Sequence, residues 1–370
     1  QHAWGQDWAE AVRKVVNIPV ISVGRYNDPI LANSAIKLGK ADFIAMGRAS
    51  LVDPHMPNKA KAGCYEDIRY CIGCNHGCLG ILFTDNPIRC VLNPTLGREY
   101  EGEIKEAEVK KNVAVIGAGP GGLQAALTAK KAGHTVTVYE KDSHAGGQFY
   151  MASIPPAKGE ISAFIRWQTV QCEKNGIEIK YNTEVTTELM KEEKPDVIIA
   201  ATGANPVVPP IPGNDQSIVC TANDILLGKV FPGQNCVVIG GGQVGAETAN
   251  YLGQQLKNVT ILEMKDAIAA EEAIAPRWGL LRSLENLKVC CKTSVKVTEI
   301  KENCVEYEEN GVLKTVAADT VVIAVGSRSN NSLAKELEDA GFDVKVIGDA
   351  KAVRLVMHAT SEGYDIAKEL

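Results

Sequence analysis

A chain of 370 residues in which 45% of side chains are hydrophobic is long enough for two or three domains with sizeable cores. Its net charge of −6, with no standout lysine/arginine cluster, excludes the electrostatic footprint of a nucleic-acid or anionic-membrane binder. No apolar run reaches the ~20 residues of a membrane span, and the 11 cysteines sit in a chain too long for a small disulfide scaffold and lacking a signal peptide, so a reducing, cytoplasmic setting is expected.

From residue 8 the pattern reads helix, then the apolar strand Pro19–Val23, then Gly24-Arg25 and a second helix through about Leu38. It repeats: strand Asp42–Met46 runs into Gly47-Arg48 and a further helical stretch. Successive strand–Gly-Arg–helix units resemble the last two β/α units of a TIM barrel, whose final loops commonly bind phosphate. Gly24 and Gly47 let backbone approach a ligand, and Arg25 and Arg48 offer fixed forks of donors to phosphate oxygens. Taken alone, the two units fit equally well a plain turn with solvated arginines. Two strands cannot close a barrel, so about six β/α units are expected upstream.

Next comes Cys71-Ile-Gly-Cys74-Asn-His-Gly-Cys78, closed by Cys90. Four thiolates are the donor set of a [4Fe–4S] cluster, and a C-x2-C-x3-C loop wraps three corners while a later cysteine supplies the fourth. Zinc also takes four thiolates but usually pairs two C-x2-C knuckles, and the second knuckle is missing here. His76 lies inside the loop, either as a replacement ligand or as a bystander. Cys64 is left unassigned. The remaining cysteines, Cys172, Cys220, Cys236, Cys290, Cys291 and Cys304, fall in or beside apolar segments and read as core filler.

After a charged linker, Glu99 to Lys111, the strand Val113–Ile116 leads into Gly117-Ala-Gly119-Pro-Gly-Gly122 and an alanine-rich helix. This is a dinucleotide fingerprint in its proper setting. Gly117 makes the tight turn, Gly119 admits the pyrophosphate, and Gly122 lets helix pack on strand, with the helix N-terminus facing the phosphates. The next strand ends at Glu140, placed to accept from an adenosine ribose. Gly147 and Gln148 follow in a loop that offers further donors or is simply a loop.

The fingerprint recurs. Cys236–Ile239 runs into Gly240-Gly-Gly242-Gln-Val-Gly245, a helix to about Leu256, and a strand ending at Glu263. An acid at that strand end favours a free ribose 2′-hydroxyl, so NADH is expected over NADPH; the competing reading has Glu263 capping the strand and Lys265 or Arg282 receiving a 2′-phosphate. Strands Asp196–Gly203 and Asp319–Gly326 flank this second unit, and Gly348-Asp349 marks the return of the chain, Asp349 alone reading equally as a helix cap.

Together the paired Gly-Arg turns, CIGCNHGCLG with Cys90, GAGPGG and GGGQVG resemble the C-terminal part of the old-yellow-enzyme-related flavin oxidoreductases with an iron–sulfur and reductase module. That family includes 2,4-dienoyl-CoA reductase, clostridial enoate reductases, bile-acid-inducible NADH-dependent oxidoreductases and trimethylamine dehydrogenase. The resemblance implies an α/β chain: the end of a TIM barrel (1–63), a [4Fe–4S] segment and linker (64–110), an FAD domain (111–212 and 321–370) and an inserted NAD(H) domain (213–320), the last two Rossmann-like and nested. It implies FMN in the barrel, and makes Asp349 the aspartate that bonds the flavin side chain.

The expected activity is passage of electrons from NADH through FAD and cluster to FMN, reducing the C=C bond of an α,β-unsaturated carbonyl, an enoate or an enoyl- or dienoyl-CoA. The catalytic acid is expected on barrel strands outside this chain. Alternatives are an electron-input module feeding a partner, amine demethylation of the trimethylamine dehydrogenase type, and a zinc-stabilised flavin reductase. Exposed barrel strands would favour oligomerisation.

Overall fold

Ile21–Ser22 and Phe43–Ile44 pair as parallel strands, Ile21 opposite Phe43, each leading to a helix. The computed structural model describes residues 1–82 and 84–370. Helix Pro29–Lys37 starts where the Asp28 carboxylate accepts the Ile30 N–H and Pro29 fills a first-turn position that needs no donor. The ladder is shorter than the strands expected at 19–23 and 42–46. Among the described residues each strand has the other as its only neighbour, so residues outside the shared register lack hydrogen bonds that would keep them extended. Gly47 and Arg48 form the first turn of helix Gly47–Val52 instead of a loop ahead of it.

The cysteine-bearing segment is irregular apart from single turns at Tyr65–Asp67 and Glu99–Glu101. Irregular backbone needs outside partners, and the long helix Glu160–Lys174 supplies them: Trp167 Nε1 donates to the Asp67 carbonyl (3.0 Å) and Lys174 Nζ to the Asp67 carboxylate (2.7 Å). The charged linker is docked as well. Arg98 pairs with Glu101 (2.7 Å) and Asp365 (2.6 Å), and Lys368 with Glu101 (2.8 Å), tying it to the last helix, Val356–Lys368.

The first Rossmann-like sheet has five parallel strands in the order Val344–Val346, Val197–Ala200, Asn112–Ile116, Thr135–Tyr139, Glu178–Lys180. Its central strands are apolar runs buried on both faces, as a helix-covered parallel sheet requires. The second sheet has five strands in the order Cys290–Lys292, Asn258–Leu262, Asn235–Ile239, Thr320–Ile323, Val219–Thr221, with a three-stranded antiparallel sheet spanning 295–317 beside it. Ala204–Pro206 and Ser327–Ser329 pair antiparallel where the chain leaves the first sheet and returns to it.

This ribbon moves one expected boundary. Thr320–Ile323 hydrogen-bonds to both Asn235–Ile239 and Val219–Thr221, so it is a strand of the second sheet, and the chain crosses back after Gly326 instead of at 320. Strand Asp319–Gly326 resembles an exit strand in sequence because it runs straight into the crossing. A second correction concerns the cysteines. Cys172 and Cys236 are buried, but Cys290 and Cys291 are exposed, since their strand is the sheet edge and not its interior.

Candidate functional site: a cysteine ring between the Gly-Arg turns and a dinucleotide fold

The first glycine loop has the geometry its spacing requires. Gly117 has φ +103°, closed to most side chains, and a Cβ on Gly122 would overlap the Gly117 carbonyl. Gly119 faces open space, where a pyrophosphate has room to approach the N-terminus of helix Pro120–Lys131. The second loop repeats this: Gly240 at φ +101°, Gly245 packed on the Gly240 carbonyl, Gly242 open.

Glu140 and Glu263 are buried at the two strand ends, and both have a role that spacing did not reveal. Each carboxylate clamps its own loop. Glu140 accepts the Ala118 N–H (2.8 Å) and the Asp142 N–H (2.9 Å); Glu263 accepts the Gly241 N–H and the Lys265 N–H (2.7 Å). A carboxylate has about four lone-pair sites, so acceptor capacity remains for a ribose. Lys265 is drawn to Glu271 (2.7 Å) and Arg282 lies over the Trp278 ring, 5.3 Å from its centroid, so each cation considered for a 2′-phosphate already has a neighbour.

Gly147 and Gln148 come to the first loop: the Gly146 N–H donates to the Ala118 carbonyl (2.9 Å), and Gly147 faces Gly119. Gln148 Nε2 donates to Asp349 Oδ2 (3.1 Å), bringing together residues 201 positions apart. Asp349 Oδ1 accepts the Arg354 N–H (3.0 Å), one residue before the N-cap of helix Val356–Lys368, so it braces the approach to that helix without capping it.

Cys71, Cys74, Cys78 and Cys90 line one cavity, together with Arg48, Leu51, Ile72, Asn75, Gly77, Arg89, Val91 and Leu92. All four are half-buried. Positive φ at Gly73 (+67°) and Asn75 (+61°) bends the loop around the cavity, and the Arg89 N–H donates to the Gly77 carbonyl (2.6 Å), bringing the stretch that carries Cys90 alongside. Burial pushes the Cys74 thiol up to about 12, and pushes Cys71 and Cys90 up as well. Thiols in this setting ionise only with positive charge beside them. Among the described residues, no three His, Cys, Asp or Glu side chains come close enough to grip a single metal ion.

The ring is wedged between domains. Asn27 Nδ2 donates to the Cys71 carbonyl (2.7 Å) while the Cys71 N–H donates to Asn27 Oδ1 (2.8 Å), joining it to the barrel segment. On the other side Cys71, Ile72, Cys74 and Cys90 pack with Phe149, Phe164, Trp167 and Met357 of the first Rossmann-like domain, and Thr360 Oγ1 donates to the Val91 carbonyl (2.8 Å).

Both Gly-Arg turns point the same way. Arg25 pairs with Glu160, which also takes His2, and lies against Gly73; Arg48 Nη1 donates to Asn75 Oδ1 (2.5 Å). The arginines expected to stand free for phosphate are thus engaged at the cysteine loop, because carboxylate and amide acceptors from 27 residues or more away in sequence fold against them; Gly24 and Gly47 remain beside them on the backbone. His76 turns out of the loop and pairs through Nε2 with Glu272 (2.8 Å), a buried carboxylate of the second Rossmann-like domain. Lys158 makes a parallel link to buried Glu247 (2.6 Å). Asn27, Glu272 and the Lys158–Glu247 pair carried no signal in the sequence, since each works only through a partner distant in the chain.

Comparison with known proteins agrees with this architecture. Residues 111–353 match the pyridine nucleotide-disulphide oxidoreductase family, and residues 2–67 match the NADH:flavin oxidoreductase / NADH oxidase family. An NADH oxidase of Thermoanaerobacter brockii is 42% identical over 378 residues, covering 100% of this chain and 58% of the relative. A cinnamate reductase of Clostridium sporogenes is 35% identical, covering 98% of this chain and 54% of that one. A solved 2-naphthoyl-CoA reductase in complex with 2-naphthoyl-CoA superposes with TM-score 0.97 at 35% identity, covering 100% of this chain and 57% of its own. The chain therefore spans little more than half the length of these relatives, and it belongs to the pyridine nucleotide-disulphide oxidoreductase family, with a segment of the NADH:flavin oxidoreductase / NADH oxidase family ahead of that module.

Proposed function

We propose that the chain is the electron-input part of an NADH-dependent ene-reductase, carrying electrons from NADH through FAD and a [4Fe–4S] cluster to FMN, for reduction of the C=C bond of an α,β-unsaturated carbonyl. The observation that carries this reading is the four-cysteine cavity wedged between the Gly-Arg turns and the first Rossmann-like domain. NADH hands over its hydride only at contact distance, whereas a one-electron group bridges domains that hydride cannot cross.

The four thiolates suit a polynuclear cluster better than one zinc ion. Structural zinc sites usually pair two C-x2-C knuckles, and the second knuckle is missing here. Gly117, Gly119, Gly122, Glu140, Gly147, Gln148 and Asp349 form the proposed FAD cradle; Gly240, Gly242, Gly245 and Glu263 form the nicotinamide cradle. Gly24, Arg25, Gly47 and Arg48 are proposed to border the FMN phosphate. The 35% identical cinnamate and 2-naphthoyl-CoA reductases support an unsaturated carbonyl as the substrate class.

Iron, acid-labile sulfide, zinc, FAD and FMN are measured per chain after anaerobic purification. About four irons with matching sulfide and one FAD are expected, the [4Fe–4S] stoichiometry. Zinc without sulfide would remove the relay and leave a flavin-dependent NADH reductase.

A further inference from the structure

Arg69 stands two residues ahead of Cys71, the first cysteine of the ring, and has no carboxylate of its own. Its Nε donates to the Val52 carbonyl (3.0 Å) and its Nη1 to the Leu92 carbonyl (2.9 Å), so the guanidinium is pinned between the two stretches of chain that flank the cysteine cavity. One face of the cation lies over the Trp167 ring, 5.0 Å from its centroid. The nearby carboxylate, Asp53, is committed elsewhere: it takes Lys59 Nζ (2.7 Å), the His55 N–H (3.1 Å) and the backbone N–H of Arg69 (2.9 Å), not its side chain. Among the described residues, no acidic side chain is within ion-pairing distance of the guanidinium.

A half-buried cation without a counter-ion is costly to hold. Arginine keeps its proton in that position, so neutralisation is not an escape. Leu92, whose carbonyl takes Nη1, lines the cavity with the four cysteines, and Trp167, beneath the cation, packs against Cys71, Cys74 and Cys90, so the charge sits at the wall of the ring. The cysteine ring is therefore the partner for which this arginine is placed. The inference rests on the cluster reading given above.

We propose that Arg69 is the fixed counter-charge of the cysteine-bound cluster and raises its reduction potential. Each electron the group accepts, from reduced flavin in the relay or from dithionite in a titration, adds one negative charge to it without making or breaking a bond. A nearby positive charge favours the more negative state, the more so where partial burial limits screening. Carbonyl acceptors and the indole face hold the guanidinium in place without neutralising it, so its full charge acts on the cluster. Arg69 is thus a tuning residue that touches neither flavin nor substrate.

The test is a mediated dithionite titration, followed by electron paramagnetic resonance, of the anaerobically purified chain as wild type, Arg69→Lys and Arg69→Met. Arg69→Met should lower the reduced-to-oxidised ratio at fixed potential by at least tenfold, about 59 mV for a one-electron couple. Arg69→Lys, which keeps the charge, should stay within about threefold of wild type, less than half that logarithmic shift. Arg69→Met with full iron and sulfide and an unmoved potential overturns the proposal. So does loss of iron from both variants in a folded, FAD-replete chain, which would make Arg69 a scaffold for the loop. Absence of iron and sulfide from the wild type would instead sink the cluster reading itself.

Discussion

The side-chain amide of Asn27 forms a two-bond clamp on the backbone of Cys71, accepting its N–H at 2.8 Å and donating to its carbonyl at 2.7 Å. Asn27 is 4% exposed, so no water stands ready to replace these bonds. Asn27→Ala leaves both Cys71 groups without a partner, a loss of about 1–3 kcal/mol for each buried group left unsatisfied. The cluster loop should then release iron to a chelator faster than wild type while FAD content holds. Equal release rates would mean that the clamp does not support the cysteine ring.

Cys74 lines the cavity and has the thiol pushed up to about 12 by burial. Replacing it by alanine removes one ligand and leaves both glycine loops intact. NADH should still bleach the FAD of Cys74→Ala, whereas reduction of FMN in a chain completed by its barrel should stall. Undiminished alkene turnover by the completed variant would dispose of the relay.

The parts of this molecule legible in its sequence are those in which function depends on local spacing. The two glycine loops need three glycines and an acid at fixed intervals, and the cysteine loop announces itself within eight residues. What stayed hidden is what distant segments do to one another. Nothing near Arg25 signals that Glu160 will reach it, and nothing near His76 signals Glu272, because ion pairs between domains have no sequence period. The boundary at Thr320–Ile323 escaped for a related reason: a buried parallel strand reads the same whichever sheet it joins, and only its pairing with Asn235–Ile239 decides.

Gly242 and Gly245 give a matched pair of substitutions. A Cβ at Gly242 meets nothing within 4 Å and its φ of −63° suits any residue, whereas one at Gly245 would collide with the Gly240 carbonyl. Gly242→Val should therefore fold, keep its FAD and lose NADH-driven bleaching, since the valine fills the space a pyrophosphate needs. Gly245→Val should lower the melting temperature as well, because helix and strand are forced apart. FAD loss in Gly242→Val would show that the two loops have been assigned to the wrong dinucleotides.

Glu263 bears on the choice of nicotinamide. Its carboxylate is held in place by the Gly241 and Lys265 N–H groups, and the Lys265 side chain turns to Glu271 at 2.7 Å. A 2′-phosphate would meet this fixed negative charge with the neighbouring lysine already engaged. The kcat/KM for FAD reduction should favour NADH over NADPH by at least about tenfold, near 1.4 kcal/mol. A tenfold preference for NADPH would reverse the assignment.

Glu272 ties the second Rossmann-like domain to the cysteine loop. It belongs to the nicotinamide-side domain, its side chain is 2% exposed, and it meets His76, which sits between Cys74 and Cys78. The hydrogen bond fixes the orientation of the imidazole, and the link also places the second Rossmann-like domain against the cysteine loop, with Lys158–Glu247 as a second tether at 2.6 Å. Glu272→Ala removes the acceptor but leaves all four cysteines of the ring in place. Amide exchange across residues 74–78 should quicken, and the rate of FAD bleaching by NADH should change as the domain loses this tether, with about 1–3 kcal/mol of local stability at stake. Glu272→Gln, which can still accept a hydrogen bond, should fall between Glu272→Ala and wild type in both measurements. Protection of 74–78 that is the same in all three proteins would mean that the loop is held from the barrel side alone, through Asn27.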